Sequence, residues 1–286
     1  MDIRSATQSE FQTAVRWATN EGWNPGLKDL EAFFKADPDG FLIGIIDGEI
    51  VGFISVVKYD NDYGFLGFYI VAPKFRGQGL GLQIWNAGMD YLKGRTIGLD
   101  GVVEQQDNYR KSGFSYAYKN TRFQGAAPDL SSMLKPAPEI QIRSILPDDY
   151  EQIFKLDREC FGVARDDFLR FWLTGAASEY RQSKVAIHDE KIVGFGAIRK
   201  CVEGFKTGPL FADDAMIAQE LVGGLINEIP EQSVIILDVP EPNHDAVALA
   251  EQFELEPVFT TARMYCGTPK SVKIEKIFGI TTFELG

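Results

Sequence analysis

An internal repeat is the feature of this 286-residue sequence that most restricts its fold. Three short segments recur in the same order: Ile-Arg-Ser at residues 3–5 and 142–144, Ile-Val-Gly-Phe at residues 50–53 and 192–195, and Leu-Asp at residues 99–100 and 237–238. The two copies of each segment lie between 138 and 142 positions apart. Self-similarity at a near-constant offset indicates a duplicated structural unit. The sequence therefore predicts two copies of one α/β unit.

Each copy shows the same order of predicted elements: a strand, one or two helices, a hairpin, a strand, a long helix, a strand, a short helix and a final hairpin. The long helix is predicted at residues 79–92 in the first copy and at residues 214–229 in the second. The segment joining the copies is rich in Pro and Ala, which is typical of a linker. We therefore predict domains at residues 1–126 and 139–286 with a linker at 127–138.

The charge of the chain is unevenly divided between the copies. The whole chain has a formal net charge of −12, with 29 Lys and Arg against 41 Asp and Glu. Residues 1–126 carry 13 basic and 15 acidic residues, and residues 127–286 carry 16 and 26, so their net charges are −2 and −10. A negative chain is repelled by nucleic acid and by anionic membranes, so neither is an expected partner.

The cysteines and histidines indicate neither disulfides nor a metal site. Cys160, Cys201 and Cys266 are an odd number and widely spaced, and their neighbours are apolar, so we expect buried inert thiols rather than acyl-enzyme nucleophiles. Together with His188 and His244 they match no familiar zinc spacing. The first residues are polar, without the apolar core of a signal peptide, and no apolar stretch is long enough to span a bilayer, so we expect a cytoplasmic protein.

A glycine-rich segment joins a strand to the long helix of the first copy. The strand ends near Val71, and residues 76–81 read Arg-Gly-Gln-Gly-Leu-Gly. Glycines at a helix start let backbone N–H groups approach a ligand, and the helix dipole favours an anion such as phosphate. Lys74 and Arg76 add positive charge there. Glycine also serves ordinary turns, and the spacing does not fit a dinucleotide fingerprint.

Two motifs of the first copy resemble those of the GNAT N-acetyltransferase superfamily. Arg76-x-x-Gly79-x-Gly81 after a Tyr-Ile-Val-Ala-Pro strand resembles its acetyl-CoA motif, and residues 109–114 resemble its Tyr-x-x-x-Gly-Phe segment. The element order over residues 1–123 also matches, and the second copy resembles the family in architecture. The resemblance implies a tandem protein of two GNAT-like domains, each with a mixed, mostly antiparallel central sheet flanked by helices.

The resemblance also implies where acetyl-CoA binds. Backbone groups of residues 69–71 would pair with the pantetheine arm, and the N–H groups of residues 76–81 would hold the pyrophosphate. Gln106 or Asn108 is a further candidate for pantetheine. The cofactor-binding residues implied in this way are Tyr69, Ile70, Val71, Lys74, Arg76, Gly77, Gln78, Gly79, Leu80, Gly81 and Asn108. Tyr109 would be the general acid that protonates the leaving thiolate; the alternative is a half-buried aromatic of a short helix.

The group that takes the proton from the amine is open among several carboxylates. Asp100 matches the place where some family members carry a base. Glu104 is the next candidate, and Asp60 or Asp62 could reach the site from a hairpin. Asp238 repeats Asp100 in the second copy, however, which favours a structural role for both.

Substrate selection in such a protein normally involves the helical region after the first strand. Trp23 and Asn24 could line an acceptor pocket there, with Glu21 attracting a cationic amine. The alternative is a tight Pro-Gly turn with a packed Trp.

The second copy lacks the residues that carry this chemistry. Ala212 replaces Arg76, Ala215 and Ile217 replace two of the glycines, and Ala250 stands where the tyrosine belongs. Asp213 and Asp214 would repel a pyrophosphate and instead suit a helix cap. We therefore predict a degenerate GNAT-like domain that packs on the first and walls its acceptor pocket.

The residues and the resemblance together predict an acetyl-CoA-dependent N-acyltransferase without a metal. It would transfer an acetyl group directly to a small-molecule or peptide amine. The alternative from another class is a non-catalytic CoA-binding sensor or interaction module. Both a monomer and a homodimer are compatible with a tandem repeat.

Overall fold

The computed structural model of the protein describes residues 1–128, 139–174 and 179–286, so most of the predicted linker lies outside the described residues. The described chain forms one mixed sheet with helices on both halves. Its strands are β1 (Asp2–Ser5), β2 (Phe41–Ile46), β3 (Glu49–Lys58), β4 (Tyr63–Val71), β5 (Thr96–Val102), β6 (Ser115–Ala126), β7 (Gln141–Ser144), β8 (Arg181–His188), β9 (Lys191–Lys200), β10 (Phe205–Ala212), β11 (Val234–Pro240), β12 (Glu256–Cys266) and β13 (Ile277–Gly279). Its helices are α1 (Gln8–Asn20), α2 (Asp29–Ala36), α3 (Leu80–Tyr91), α4 (Gln106–Lys111), α5 (Tyr150–Phe161), α6 (Asp166–Thr174), α7 (Ala215–Ile226) and α8 (His244–Gln252).

The order of strands in the sheet reads alike from both ends. It runs β1-β2-β3-β4-β5-β12-β6-β11-β10-β9-β8-β7, with β13 beside β10. Among the described strands, only the pairs β4–β5 and β10–β11 are parallel. This confirms the predicted fold of two α/β units with mixed, mostly antiparallel sheets, and it relates them by an approximate twofold axis between β6 and β12.

The two halves exchange their last long strands. Strand β12 of the second half pairs with β5 of the first, and β6 of the first half pairs with β11 of the second. The exchanged strands also pair with each other along the middle of the sheet. The predicted boundary at residues 127–138 therefore divides the chain but not its hydrogen-bonded sheet, and residues 1–126 lack the strand that covers the edge of β5.

Two buried ion pairs follow this exchange. Arg263 of β12 donates to both oxygens of Asp100 on β5, at 2.8 and 2.7 Å. Arg122 of β6 does the same to Asp238 on β11, at 2.7 and 2.9 Å. The four side chains are at most 7% exposed, so each charge depends on its partner for stabilisation. The aspartate of each Leu-Asp segment thus forms an ion pair with an arginine of the other half.

Two of the helix starts follow from local chemistry. Thr7 and Glu10 form a reciprocal capping box at the start of α1. Asp214 caps α7 by accepting from the N–H of Ile217 at 2.9 Å, as predicted, whereas Asp213 pairs with Lys276 at 3.0 Å. No helix within the described ranges is both long and apolar enough to cross a membrane.

An aromatic core between α2 and α6 adds to the contact between the halves. Phe33 stacks on Trp172, with ring centroids 6.0 Å apart and planes 3° apart. Asp29, at the start of α2, accepts from Arg181 and Arg199 of the second half at 2.9 Å each. The halves therefore share apolar and charged core as well as strands.

Candidate active site

The first half opens a cleft between its two parallel strands. Strands β4 and β5 pair only from Tyr63–Thr96 to Leu66–Leu99. Beyond that point β4 carries a bulge, because its pairing with β3 shifts register and Phe68 has a φ of 44°. The β5-facing edge of residues 67–71 then borders a cavity of about 1190 Å³ instead of a strand.

The second half fills the corresponding gap with its own chain. Strands β10 and β11 pair only as far as Thr207–Leu237. Beyond them β13 pairs with β10, and the N–H of Ile280 donates to the carbonyl oxygen of Asp238 at 2.9 Å. The place that is open beside β4 is therefore occupied beside β10.

The predicted glycine turn lies at one end of the cavity. Gly77 and Gly79 have φ values of +74° and +75°, which strain any other residue, and the space above both is open. A Cβ on Gly81 would lie 2.6 Å from the hydroxyl of Tyr69. No side chain caps α3, so the N–H groups of its first turn are available to an anion.

Four predicted cofactor-binding residues carry side chains in and around this turn: Lys74, Arg76, Gln78 and Leu80. Of these four, only Arg76 lines the cavity. Its guanidinium donates to the carbonyl oxygen of Val71 at 2.8 Å and to Glu21 at 2.6 Å. Lys74 pairs with Glu49 at 2.5 Å, and Gln78 donates to the carbonyl oxygen of Lys74 at 2.8 Å. The side chains of Lys74 and Gln78 are thus directed elsewhere, and that of Leu80 packs in the apolar core under α3.

Tyr109 projects into the same cavity from α4. Its ring stacks on Trp85 of α3, with centroids 5.6 Å apart and planes 22° apart. Burial, with a smaller contribution from the neighbouring Tyr69, raises the pKa of Tyr109 to about 12. The phenol therefore keeps its proton at neutral pH and can donate it. Asn108 also lines the cavity, and its amide donates to Gln105 at 2.7 Å.

The structure corrects several predictions for the proton-accepting group. Asp100 borders the cavity, but Arg263 holds both of its oxygens and Asn120 donates a further bond at 2.7 Å, which argues for the structural role. Glu104 does not line the cavity. Asp60 and Asp62 lie in the turn between β3 and β4, where Asp60 accepts backbone N–H groups and Asp62 pairs with Lys270 at 2.5 Å.

The predicted acceptor residues separate in the structure. Trp23 and Glu21 line the cavity, whereas Asn24 does not. The side-chain amide of Asn24 exchanges two hydrogen bonds of 2.9 Å with the backbone of Glu203, and the backbone carbonyl oxygen of Asn24 accepts from Lys206 at 3.1 Å. Asn24 therefore connects the two halves by hydrogen bonds. This corrects its prediction as a substrate-binding residue.

Four residues of the second half complete the wall of the cavity: Phe259, Thr261, Phe283 and Glu284. Phe259 and Thr261 arrive on the exchanged strand β12, and the other two follow β13. As predicted, the second half walls the cavity of the first. No motif marks these residues in the sequence, because their position depends on strand exchange.

Of the three cysteines predicted to be buried and inert, two are buried and Cys266 is only partly buried. Cys160 and Cys201 are buried, and desolvation raises the pKa of both thiols, which keeps them protonated and unreactive. Among the residues that the structure describes, no group of His, Cys, Asp and Glu is placed to hold a metal ion.

Comparison with known proteins agrees with this architecture. A model of the acetyltransferase (GNAT) family matches residues 3–114, and a model of an acetyltransferase (GNAT) domain matches residues 153–279. A holothin acyltransferase from a Pseudoalteromonas strain is 31% identical over 283 residues, which cover 99% of this chain and 94% of the relative. The chain belongs to the GNAT acetyltransferase family. It is an acyltransferase with two GNAT domains.

Solved structures share the fold of this GNAT protein at low sequence identity. A crystal structure from Pyrococcus horikoshii has a TM-score of 0.80 at 21% identity and covers 100% of this chain and 95% of that one. A tandem GNAT protein from the clavulanic acid biosynthesis pathway has a TM-score of 0.64 at 15% identity, covering 94% and 99%. This chain therefore shares the fold of a tandem GNAT protein over 94% of its length.

Proposed function

We propose that this GNAT protein transfers an acetyl group from acetyl-CoA directly to an amine, using the cavity of its first half. The observation that carries the proposal is the separation of β4 from β5. It leaves a cavity that reaches the glycine turn before α3, where no described side chain caps the helix. Acetyl-CoA supplies the activated acetyl thioester. The described residues that line the cavity include no cysteine, which favours direct transfer over an acyl-enzyme.

The cavity offers each part of acetyl-CoA a complementary surface. The free edge of residues 69–71 would pair with the pantetheine amides, with Asn108 nearby. The N–H groups of residues 76–81 would hold the pyrophosphate. Arg76 would add a guanidinium and would pair with a phosphate instead of Glu21. Loss of the Arg76–Glu21 ion pair costs little because both side chains are about half exposed.

Tyr109 would hold the proton that the leaving sulfur needs. Its pKa of about 12 keeps the phenol protonated, and its stacking on Trp85 fixes the ring. The first half would thereby combine donor binding and general acid in one cavity.

A calorimetric titration with CoA tests the binding part of the proposal. We expect one CoA to bind per chain, because β13 fills the second cleft and Asp213 and Asp214 would repel a pyrophosphate at α7. No binding at millimolar CoA would overturn the proposal, and two equal sites would contradict its restriction to the first half. Thiol release on adding amines then tests the chemistry; binding without release from any amine would favour a CoA-binding module.

Substitution of Gly79 tests the phosphate site. Alanine at its φ of +75° costs about 1–2 kcal/mol of folding free energy and displaces the N–H groups of the turn. We expect Gly79→Ala to weaken CoA binding about tenfold or more in calorimetry.

Gly48→Ala is the matched control, because Gly48 has a φ of +80°, also in open space, but lies in the β2–β3 turn outside the cavity. It should cost similar stability and leave CoA binding unchanged. Equal CoA affinity in both variants would remove the turn from the binding site.

A further inference from the structure

The aromatic residues that line the cavity come from both halves. Trp23 and Phe68 of the first half lie with ring centroids 6.3 Å apart, and Phe259 and Phe283 of the second lie 6.0 Å apart. All four line the cavity. Such rings offer flat apolar surface and favour another flat apolar group in offset or edge contact.

Glu284 differs from the other carboxylates that line this cavity. Glu21 is paired with Arg76, and Asp100 with Arg263. Within the described parts of the chain, the Glu284 carboxylate makes no hydrogen bond and no ion pair within 4 Å, although the residue is only 6% exposed. It is therefore the lining carboxylate with unused capacity for a cation.

The backbone around Glu284 is firmly held at the mouth of the β4–β5 cleft. Its carbonyl oxygen packs on Gly67, where an added Cβ would lie 2.1 Å away. Its N–H donates to Thr282 at 3.2 Å, and the hydroxyl of Tyr59 donates to the carbonyl oxygen of Leu285 at 2.7 Å. Gly67 directly precedes the bulge of β4, so the segment meets the first half where the cleft opens.

Buried cationic groups lie near Glu284. Among the described residues, the buried guanidinium groups of Arg122, Arg181 and Arg199 form ion pairs with two aspartates, Asp238 and Asp29. Burial lowers the pKa of Arg122 and of Arg199, but the charges of those aspartates, with smaller contributions from Glu284 and Cys201, outweigh it and raise both pKa values. Lys206, whose pKa burial lowers, also borders Asp238. The carboxylate of Glu284 is a third negative charge, which offsets part of the buried positive charge of these side chains.

Building on the proposed acetyl transfer, we propose that the acceptor is a primary amine on a flat apolar body and that Glu284 binds its ammonium group. The four rings would hold the body, and the carboxylate would direct the nitrogen towards Tyr109. Second-half residues would thus determine acceptor specificity for chemistry performed in the first half.

Proton movements balance in this arrangement. A Glu284 oxygen takes one proton from the ammonium nitrogen, whose freed lone pair attacks the thioester carbon. As the carbon–sulfur bond breaks with its electrons going to sulfur, Tyr109 gives the sulfur its phenolic proton and regains one from the new amide nitrogen. Glu284 releases its proton to solvent, so ammonium and thioester give amide, thiol and one proton.

Thiol-release rates with a defined amine panel test the substrate class. We expect phenethylamine and tryptamine to show kcat/KM values at least about tenfold above those of putrescine and spermidine, because the polyamines have no ring to place against the four aromatic residues. Faster reaction of the polyamines would overturn the assigned class. Turnover of none of these amines by a wild-type protein that binds CoA would instead overturn amine acetylation itself.

Substitution of Glu284 tests the residue. We expect Glu284→Gln to lower kcat/KM for the fastest amine about 100-fold or more, while CoA affinity changes less than about twofold. Glu284→Asp should retain more activity, since it keeps the charge. Calorimetry of amine binding to the CoA complex gives a readout independent of turnover.

Glu251→Gln is the matched control, because Glu251 is an exposed glutamate of α8 outside the cavity, and it should leave all these quantities unchanged. Thermal unfolding checks that each variant folds; if Glu284→Gln does not, Glu284→Asp carries the test, with an expected fall of about tenfold. Wild-type rates and amine affinity in a folded Glu284 variant would show that Glu284 is only a counter-ion of the arginines.

Discussion

Tyr109→Phe is expected to lower kcat for thiol release by about 100-fold or more, with less than about a threefold change in CoA affinity. The substitution removes only the hydroxyl, so the stacking of the ring on Trp85 remains. A general acid contributes typically about 10²–10⁴-fold, and its loss lowers kcat rather than ground-state binding. Steady-state kinetics with acetyl-CoA and calorimetry with CoA measure the two quantities.

Tyr116→Phe is the control for this substitution. Tyr116 lies on β6, is 46% exposed and is outside the cavity, so loss of its hydroxyl should leave kcat unchanged. The pKa of about 12 for Tyr109 also predicts that its protonation does not limit the rate between pH 7 and pH 9. A kcat for Tyr109→Phe within twofold of the wild-type value would contradict the role of Tyr109 as general acid and would leave its ring a structural role only.

The local structures that the sequence predicts correctly are those determined by local chemistry. Gly77 and Gly79 take positive φ values just before α3, where the glycine pattern predicts a turn. Asp214 caps α7 as its position before an apolar helix predicts. In both cases the deciding contacts lie within a few residues of each other, so a single stretch of sequence contains them.

The parts that the sequence does not predict depend on strand exchange between the halves. Asn24 is indistinguishable in sequence from a pocket residue until Glu203 is placed beside it. Glu284 carries no motif and reaches the cavity only because β13 fills the second cleft. One signal was available: Arg122 and Arg263 recur 141 positions apart, within the range of 138 to 142 positions that separates the repeated segments, which would have indicated reciprocal ion pairs.

Removal of one partner from these ion pairs is expected to destabilise the whole protein. Asp100→Asn leaves the guanidinium of Arg263 buried without its counter-charge, and loss of one partner of a buried pair typically costs about 3–5 kcal/mol. The approximate twofold symmetry predicts a similar loss for Asp238→Asn, which isolates Arg122. Urea unfolding gives the free energies, and CoA binding reports whether the cavity survives in the folded fraction.

The exposed pair of Lys74 with Glu49 is the control for burial. Both side chains are more than half exposed, so Glu49→Gln should cost at most about 1 kcal/mol. An equally small loss for Asp100→Asn would contradict the structural role of Asp100, and an intact stability with abolished turnover would return it to the candidates for the base.

The pH dependence of stability gives an independent measure of the second ion pair. Burial alone would raise the pKa of Asp238, but the charges of Arg122 and Lys206 outweigh it and hold that pKa below its ordinary value of about 3.9. A carboxyl group with a lowered pKa in the folded state stabilises the protein above its unfolded pKa, and this contribution is lost as the pH falls through the folded pKa. The unfolding free energy of the wild type should therefore fall below about pH 5, and Asp238→Asn should fall less steeply because its amide does not titrate. Identical slopes for both proteins would show that this pair does not hold the exchanged strands together.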